Sequence, residues 1–325
     1  MAKIDKEEKE VLLHKSLRKE EKKTPWFWIM LVAFAFAVLG SFNALETRTT
    51  YFDEVRATHF IKDEEDLIKN LSSLYNDRII LTADITISEE ITIGSKEVPF
   101  EGSFEGNGFK ITMTNNPTPL FGYIGREGKV SSLNVDYSCS VSVNDCFAPI
   151  AIENKGTIEN CHISTSLTIR SGYIFSSIAV YNKGTIKNCF VNSMFINNNV
   201  NNNEVIIGGL TAYNSGKILN SISVIDFKNF TKTEAEKIYS STITNLTIGA
   251  VTGVNLTNYQ NTNNLMVIRK EVFVCDINDT NIKIVYTNQS IDIDYVFGKM
   301  EFDKKYWEFT NAGLTLIRGD GKWEK

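Results

Sequence analysis

The stretch that decides the fold is GTIENCHI, residues 156–163, which returns along the chain at a near-constant interval. Related copies read GKVSSLNV from Gly128, GTIKNCFV from Gly184 and GKILNSIS from Gly216. Their first glycines lie 28, 28 and 32 residues apart, and a lead-in such as IAVYNKG (178–184) precedes the later copies. Self-similarity at a period of roughly 20 to 50 residues is typical of repeat architectures, so the repeat predicts the fold before any local propensity does.

Within each copy, the apolar residues change sides of the chain once. In an extended chain, Ile158 and Asn160 point to one side, whereas Cys161 and Ile163 point to the other. The change predicts a bend at Asn160, with both flanking strands still pointing inward. Asn tolerates a left-handed backbone and can hydrogen-bond to its counterparts in neighbouring copies. The equivalent positions in the other copies are Ser132, Asn188 and Asn220.

Short strands, one bend and a glycine turn predict one coil of a right-handed parallel β-helix, with coils stacked about 4.8 Å apart. The open ends of such a solenoid are strand edges that need a cover. Residues 59–75 place Phe60, Leu67, Leu71 and Leu74 at helical spacing, which predicts an amphipathic helix that caps one end. The tail Phe302–Arg318, with its aromatic cluster, is the predicted lid at the other end. The cluster consists of Tyr306, Trp307 and Phe309.

Residues 25–45 contain no charged side chain and would form a helix of about 31 Å, the thickness of a bilayer's hydrocarbon core. Trp26 and Trp28 lie at one edge of this stretch, and Lys22 and Lys23 lie just outside it. We expect an uncleaved signal anchor, with a cleaved signal peptide as the alternative. The expected organisation is a cytoplasmic tail (1–24), a membrane span (25–45), a linker (46–58) and an ectodomain outside the cell (59–320).

Composition argues against nucleic acid as a partner and leaves the pairing of the cysteines undecided. A net charge of −5 gives no reason to expect nucleic acid. The odd number of irregularly spaced cysteines argues against a disulfide framework and against a zinc site. Cys161 and Cys189 share a phase of consecutive repeats, so they are either stacked apolar fillers or, in an oxidising space, a disulfide. Cys139 with Cys146 is a weaker candidate pair.

The repeats resemble a known family of bacterial surface proteins. Lead-in and phrase together, as in IGGLTAYNSGKILNS (207–221), resemble the GLUG repeat, and EGSFEGNGFKI (101–111) resembles the opening coils of pectate-lyase-like β-helix proteins. The resemblance covers roughly residues 60–320. It implies an exported protein of the bacterial cell surface, of a kind often grouped with adhesins, and it supplies no catalytic residue.

The spacing of the repeats points to a candidate site. The intervals between copies lengthen in one segment of the coil, which holds the insertions NSMFINNNVNNNE (192–204) and FKNFTKTEAEKIYSS (227–241). Insertions on one side of a solenoid often form its binding face, although neutral loop growth is an alternative. We therefore expect a glycan or protein ligand at loop residues drawn from both insertions. These residues are Phe195, Asn198, Asn201, Glu204, Phe227, Phe230, Lys232 and Tyr239.

Catalysis is the weaker expectation, and we expect neither a catalytic residue, a cofactor nor a metal. Polysaccharide lyases and hydrolases use this fold, but they need clustered acids or a Ca²⁺ site with a basic residue. Acidic residues such as Asp136, Glu153 and Glu159 fall in different phases of the repeat, and His162 is a lone outward position beside Phe190. The remaining alternatives to an adhesion module are a structural envelope component and a polysaccharide-active enzyme.

Overall fold

The structure of the chain is a computed structural model, and it describes most of the chain from residue 56 onwards. The described ranges are 56–71, 75–113, 118–142, 146–171, 174–197, 205–228, 246–249, 251–256, 259–268, 282–286, 292–311 and 313–319. The chain divides into two compact units, Met1–Arg56 and Ala57–Lys325. The predicted membrane span 25–45 lies outside the described residues, and no helix within the described ranges is long and apolar enough to cross a bilayer.

The second unit is a parallel β-solenoid of about 4 complete turns, which confirms the predicted repeat architecture. Strands are numbered in chain order and sheets in the order in which a coil visits them. Sheet 1 contains β1 (Thr58–Ile61), β2 (Arg78–Leu81), β4 (Ser103–Glu105), β7 (Lys129–Ser131), β11 (Thr157–Glu159), β15 (Thr185–Lys187), β19 (Lys217–Leu219) and β23 (Gln260–Thr262). Sheet 2 contains β3 (Ile85–Ile87), β5 (Lys110–Met113), β8 (Asn134–Ser142), β12 (His162–Ser171), β16 (Phe190–Asn197), β20 (Ile222–Lys228), β24 (Asn264–Ile268) and β25 (Ile282–Tyr286).

Two smaller sheets complete each coil. Sheet 3 contains β9 (Cys146–Phe147), β13 (Ile174–Ser176), β17 (Val205–Gly208) and β21 (Leu246–Gly249). Sheet 4 contains β6 (Phe121–Ile124), β10 (Ala151–Asn154), β14 (Ala179–Asn182), β18 (Thr211–Asn214) and β22 (Thr252–Asn255). Every described pairing within these sheets is parallel, because each strand pairs with the same strand of the next coil. Equivalent residues are in register, apart from one shift at the end of the β8–β12 pair.

The corner between sheets 1 and 2 is the bend that the sequence predicts. Asn160 has φ 50°, and the equivalent residues of the other coils have similar left-handed values. They are Ser132 (51°), Asn188 (51°), Asn220 (47°) and Asn263 (51°). Asn107 (58°) is left-handed at the same corner of an earlier coil, where the corner is two residues longer. Asn pays a smaller steric penalty in this region than other residues with a side chain, which is the reason that it recurs here. Asn263 also donates to the side chain of Asn220 over 3.0 Å, as expected for a stacked column.

The corner between sheets 4 and 1 is a close approach of neighbouring coils. A Cβ atom on Gly184 would lie 2.1 Å from the carbonyl oxygen of Gly156, and one on Gly216 would lie 2.2 Å from that of Gly184. The repeated glycine is therefore required by contact between coils, since no other residue fits. Inside the coils, alternate residues of all four sheets form one apolar core. Burial of this core stabilises the coils collectively, because a single coil cannot enclose its own apolar side.

The predicted capping helix is present but shorter than expected. Helix α1 is Glu64–Asn70, with Asp63 as its N-cap, whereas the prediction was 59–75. Residues Thr58–Ile61 form β1 instead, because their backbone pairs with β2. The helix contacts β1 and β3, the end strands of sheets 1 and 2, and it buries Leu67 completely in the core.

The C-terminal elements do not lie where the sequence predicts a lid. Helix α2 (Ile293–Gly298) is followed by an antiparallel hairpin of β26 (Trp307–Thr310) and β27 (Gly313–Leu316). These elements pack on the outer face of sheet 2 rather than over the end of the solenoid. The physical reason is an apolar column on that face, which the hairpin buries. The column consists of Phe190, Ile222 and Leu265.

Candidate ligand-binding flank

The insertions leave the solenoid at one corner, between sheets 2 and 3. This corner spans residues 143–145, 172–173, 198–204 and 229–245 in four successive coils. The strands on both sides stay in register, since β12, β16 and β20 pair in sheet 2 while β13, β17 and β21 pair in sheet 3. The strand ends that flank these segments are therefore stacked along one side of the rod. We call this side, with the adjoining outer faces of sheets 3 and 4, the insertion flank.

The residue pairing in sheet 1 gives the number of residues in each coil. Lys129 pairs with Thr157, Thr157 with Thr185, Thr185 with Lys217, and Lys217 with Gln260, so successive coils have 28, 28, 32 and 43 residues. Strand lengths change little between these coils, so most of the added residues enter at the corner between sheets 2 and 3.

The structure corrects one predicted loop residue and describes little of the others. Phe195 lies within β16 and is fully buried in the core, because it continues the inward alternation of that strand. It is not a surface residue. Phe227 lies in β20, paired with Phe195, and its side chain is outside the described set. The remaining predicted residues lie outside the described ranges: Asn198, Asn201, Glu204, Phe230, Lys232 and Tyr239.

Next to the insertions, the outer faces of sheets 3 and 4 meet in a tight apolar angle. A Cβ atom on Gly208 would lie 1.7 Å from the carbonyl oxygen of Thr211, so the two sheets approach too closely for a side chain there. A second apolar cluster fills this angle outside the coil. Its buried floor is Ala148, Val180, Ile206 and Ala212, and its half-buried sides are Cys146, Ile152, Ile174, Tyr181, Tyr213 and Val254. Sequence reasoning missed this cluster. Its signal in the sequence is a second apolar residue directly beside each inward-pointing apolar residue of the lead-in.

Aromatic and charged side chains border the apolar angle. The rings of Tyr181 and Tyr213 stack at 5.2 Å between centroids, one coil apart. Burial is the main cause that raises the pKa of the Tyr181 hydroxyl. Beside it, Glu153 accepts from Lys155 over 2.8 Å and from Lys183 over 2.9 Å. Burial raises the pKa of Glu153, but the hydrogen bonds from both lysines outweigh it and lower the pKa overall. Glu153 is thus an ionised partner of two lysines, which disfavours a role as a general acid.

The paired cysteines are stacked in the core. Cys161 and Cys189 are fully buried free thiols at equivalent positions of adjacent coils. Their Sγ atoms donate to the carbonyl oxygens of Glu159 (3.2 Å) and Lys187 (3.4 Å). Burial, with contact between the thiols, raises the pKa of Cys161 well above its usual range. The coil spacing of about 4.8 Å exceeds the usual Cβ separation of about 3.5–4.5 Å in a disulfide, so a bridge would pull the coils together. The disulfide stays a prediction.

The interior also holds a polar column. Asn154 donates to Asn182 over 2.8 Å, and Asn182 donates to Asn214 over 2.9 Å, with all three residues buried. Asn154 and Asn182 stand directly before Lys155-Gly156 and Lys183-Gly184, a pattern that predicts solvated turn residues. The prediction is wrong, because both side chains are buried in the coil. Among the side chains that the structure describes, no three His, Cys, Asp or Glu come together as a metal site.

The fold defines the class of this chain, which is a parallel β-solenoid with one insertion-bearing flank. No protein-family model matches the chain, and no curated protein matches it. Among solved structures, the chain is similar to one titled IgA1 Protease, with 16% sequence identity and a TM-score of 0.47. The similarity covers 70% of this chain but 17% of that one, so this chain spans only a small part of the protein it matches.

Proposed function

We propose that this chain is a membrane-anchored bacterial cell-surface protein whose insertion flank binds a glycan or protein ligand. The observation that supports it best is the growth of successive coils at one stacked corner, whereas the other corners keep nearly constant lengths. When a solenoid varies in sequence and length on one side alone, its non-repeating residues are brought together there, as in solenoid binding surfaces. The charge-free stretch 25–45 and the GLUG resemblance are the sequence features behind the proposed location and family.

Corner transplants test this proposal with the chain's own parts. In the test variant, residues 198–204 are replaced by the Gly-Tyr of 172–173, and 229–245 by the Val-Asn-Asp of 143–145. These shorter segments already span the same corner in earlier coils, so the strands can keep their register. The matched control replaces Leu256–Tyr259, which joins β22 to β23, by the Lys-Gly that joins β14 to β15. It shortens a different corner of the same coil region.

Binding is measured with the full chain in detergent micelles on arrays of glycans and extracellular-matrix proteins. We expect saturable binding by the unmodified chain and by the control, and at least about a tenfold weaker binding by the test variant. Equal binding by the test variant would place the ligand elsewhere on the rod. If the unmodified chain binds nothing on either array, a structural envelope role is favoured. Cleavage of an arrayed glycan would favour an enzyme.

A further inference from the structure

The segment after helix α2 runs back along the solenoid, against the direction in which the coils grow. We call residues 299–311 and 313–319 the C-terminal strap. It begins where the carbonyl oxygen of Lys299 accepts from Asn263 over 2.6 Å. It ends where the amide of Gly319 donates to the carbonyl oxygen of Asn107 over 2.9 Å. Asn107 lies at an early corner between sheets 1 and 2, and Asn263 lies at the last such corner that the structure describes. The strap therefore crosses nearly the whole described row of corners.

The middle of the strap is held at a single aromatic position. Trp307 is almost fully buried, and its indole Nε1 donates to Oδ1 of Asn160 over 3.4 Å. The imidazole of His162 lies beneath it, with 6.5 Å between ring centroids. His162 is also stacked on Phe190 of the next coil, at 5.0 Å and 27°. The strap therefore covers one side of His162, a half-buried residue at the first outward position of sheet 2 in this coil.

His162 fits its surroundings only as a neutral ring. Its Nδ1 atom is sealed from solvent and has no hydrogen-bond partner among the described residues. A neutral imidazole can leave Nδ1 unprotonated, but an imidazolium carries a donor on both nitrogens. A buried donor without an acceptor destabilises the closed form, and a buried charge destabilises it further.

Among the described residues, no carboxylate forms an ion pair or a hydrogen bond with the His162 side chain. Its neighbours in register are Asn134 on β8 and Phe190 on β16, and the corner contributes Asn160. The charged or titratable groups on the surrounding elements are Asp136 of β8, Glu159 of β11 with its partner Lys129 of β7, Lys187 of β15, and Tyr306 and Glu308 of the strap. Burial alone lowers the pKa of His162, to about 4.

We propose that the C-terminal strap is an acid-sensitive clasp, in which protonation of His162 releases Trp307 and uncovers the apolar column of sheet 2. The column consists of Phe190, Ile222 and Leu265. This device works without a ligand, so it does not depend on the proposed function.

The sign of the pH effect follows from the two states of His162. In the closed form its pKa is depressed, and in the open form it returns to about 6.5. Above pH 6.5 the ring is neutral in both forms, so the clasp keeps its full stability. As the pH falls from 6.5 to 4, the open form takes up the proton first and gains population. The opening equilibrium should rise about 20-fold between pH 7 and pH 5, and about 100-fold by pH 4.

Hydrogen exchange of the full chain in detergent micelles measures this opening directly. Peptides covering 299–319 report the strap, and peptides covering β11, β12 and β16 report the solenoid at the same time. Rates are corrected for the intrinsic effect of pH on amide exchange. We expect the strap to lose protection as the pH falls from 7 to 4, while the solenoid peptides stay protected. Loss of protection in both sets together, or in neither, would overturn the clasp.

Two variants separate His162 from the other acid-sensitive contacts of the strap, such as Arg318 with Asp84. His162→Phe keeps an aromatic ring between Phe190 and Trp307, and His162→Gln keeps a neutral polar side chain. In both, the strap should remain protected at pH 4 and 5. Opening at the same pH as in the unmodified chain would show that another group controls the strap. In the unmodified chain, exchange of the imidazole C2 hydrogen gives the pKa of His162. The opening equilibrium should rise only between about pH 6.5 and this pKa, and a rise outside that range would equally contradict the proposal.

Discussion

Asparagine holds the coils together in two columns that differ in chemistry. The corner column uses the left-handed backbone of residues such as Asn160 and Asn188, and there the side chain is secondary. The inward column uses the amide side chains of Asn154, Asn182 and Asn214, which donate and accept along the axis. A buried amide is tolerated only when it is hydrogen-bonded, so each member of the inward column depends on its neighbours.

Replacement of Asn182 by Ala tests the inward column. The change removes the acceptor of Asn154 and the donor to Asn214, and both lie in the coil interior. It also removes a donor to the carbonyl oxygen of Lys217 (3.3 Å), and the loss of these three hydrogen bonds should lower the free energy of unfolding by about 2–4 kcal/mol. The neighbouring Lys183→Ala is the control, because its exposed pair with Glu153 should contribute about 1 kcal/mol or less. The measurement is urea unfolding followed by circular dichroism. Equal losses in the two variants would show that the column does not stabilise the coils.

The sequence predicts one of these columns and not the other, for a physical reason. At the corner, a change of apolar parity coincides with Asn160, and this pattern has few explanations besides a bend. Asn182 is followed directly by Lys183 and Gly184, which is also the pattern of an exposed turn. Its inward direction depends on where β14 ends, and strand ends are fixed by pairing with the next coil rather than by local residues.

At the scale of elements, the covers of the solenoid separate into an end cap and a side cover. Helix α1 closes the first coils, and Glu64 at its first turn accepts from the backbone amides of Ser88 and Glu89. These bonds, led by the one from Glu89, lower the pKa of Glu64 against the opposing effect of burial. The hairpin of β26 and β27 instead covers a face. Both elements are amphipathic. An amphipathic pattern predicts that one face is buried, but it does not predict which surface of the solenoid covers that face. The apolar outward column at Phe190 and Ile222 was the signal for a side cover.

Helix α1 offers a matched pair of neighbouring residues for testing the cap. Leu67 is fully buried in the core, whereas Ile68 is 42% exposed. Leu67→Ala should lower the free energy of unfolding by about 2–5 kcal/mol, since it leaves a cavity at the end of the solenoid. Ile68→Ala should change it by less than about 1 kcal/mol, because little burial is lost. Thermal unfolding of both variants gives the comparison. Similar shifts in melting temperature would mean that α1 does not seal the core.

For the whole molecule, the described chain begins and ends at the same end of the rod. Thr58 starts the first strand of sheet 1, and Gly319 returns to Asn107, near the first coils. The longest insertions belong to the later coils, beside β20 and β21. From β1 to β23, seven coil spacings of about 4.8 Å amount to about 34 Å along the axis. The strands that flank the longest insertion, β20 and β21, therefore lie about six coil spacings from β1.

The proposed orientation in the membrane predicts which segments a protease can reach on intact cells that display the chain. Lysines before the stretch 25–45 favour a cytoplasmic N-terminus, so an epitope placed at residue 1 should be protected until the membrane is disrupted. A protease site introduced within 229–245 should be cut on intact cells, because the proposed insertion flank is outside. The same site placed in β12, whose inward residues are buried, should be cut only after unfolding and serves as the control. Cleavage of the N-terminal epitope on intact cells would reverse the proposed orientation. Release of the ectodomain from the cells without added protease would instead favour a cleaved signal peptide.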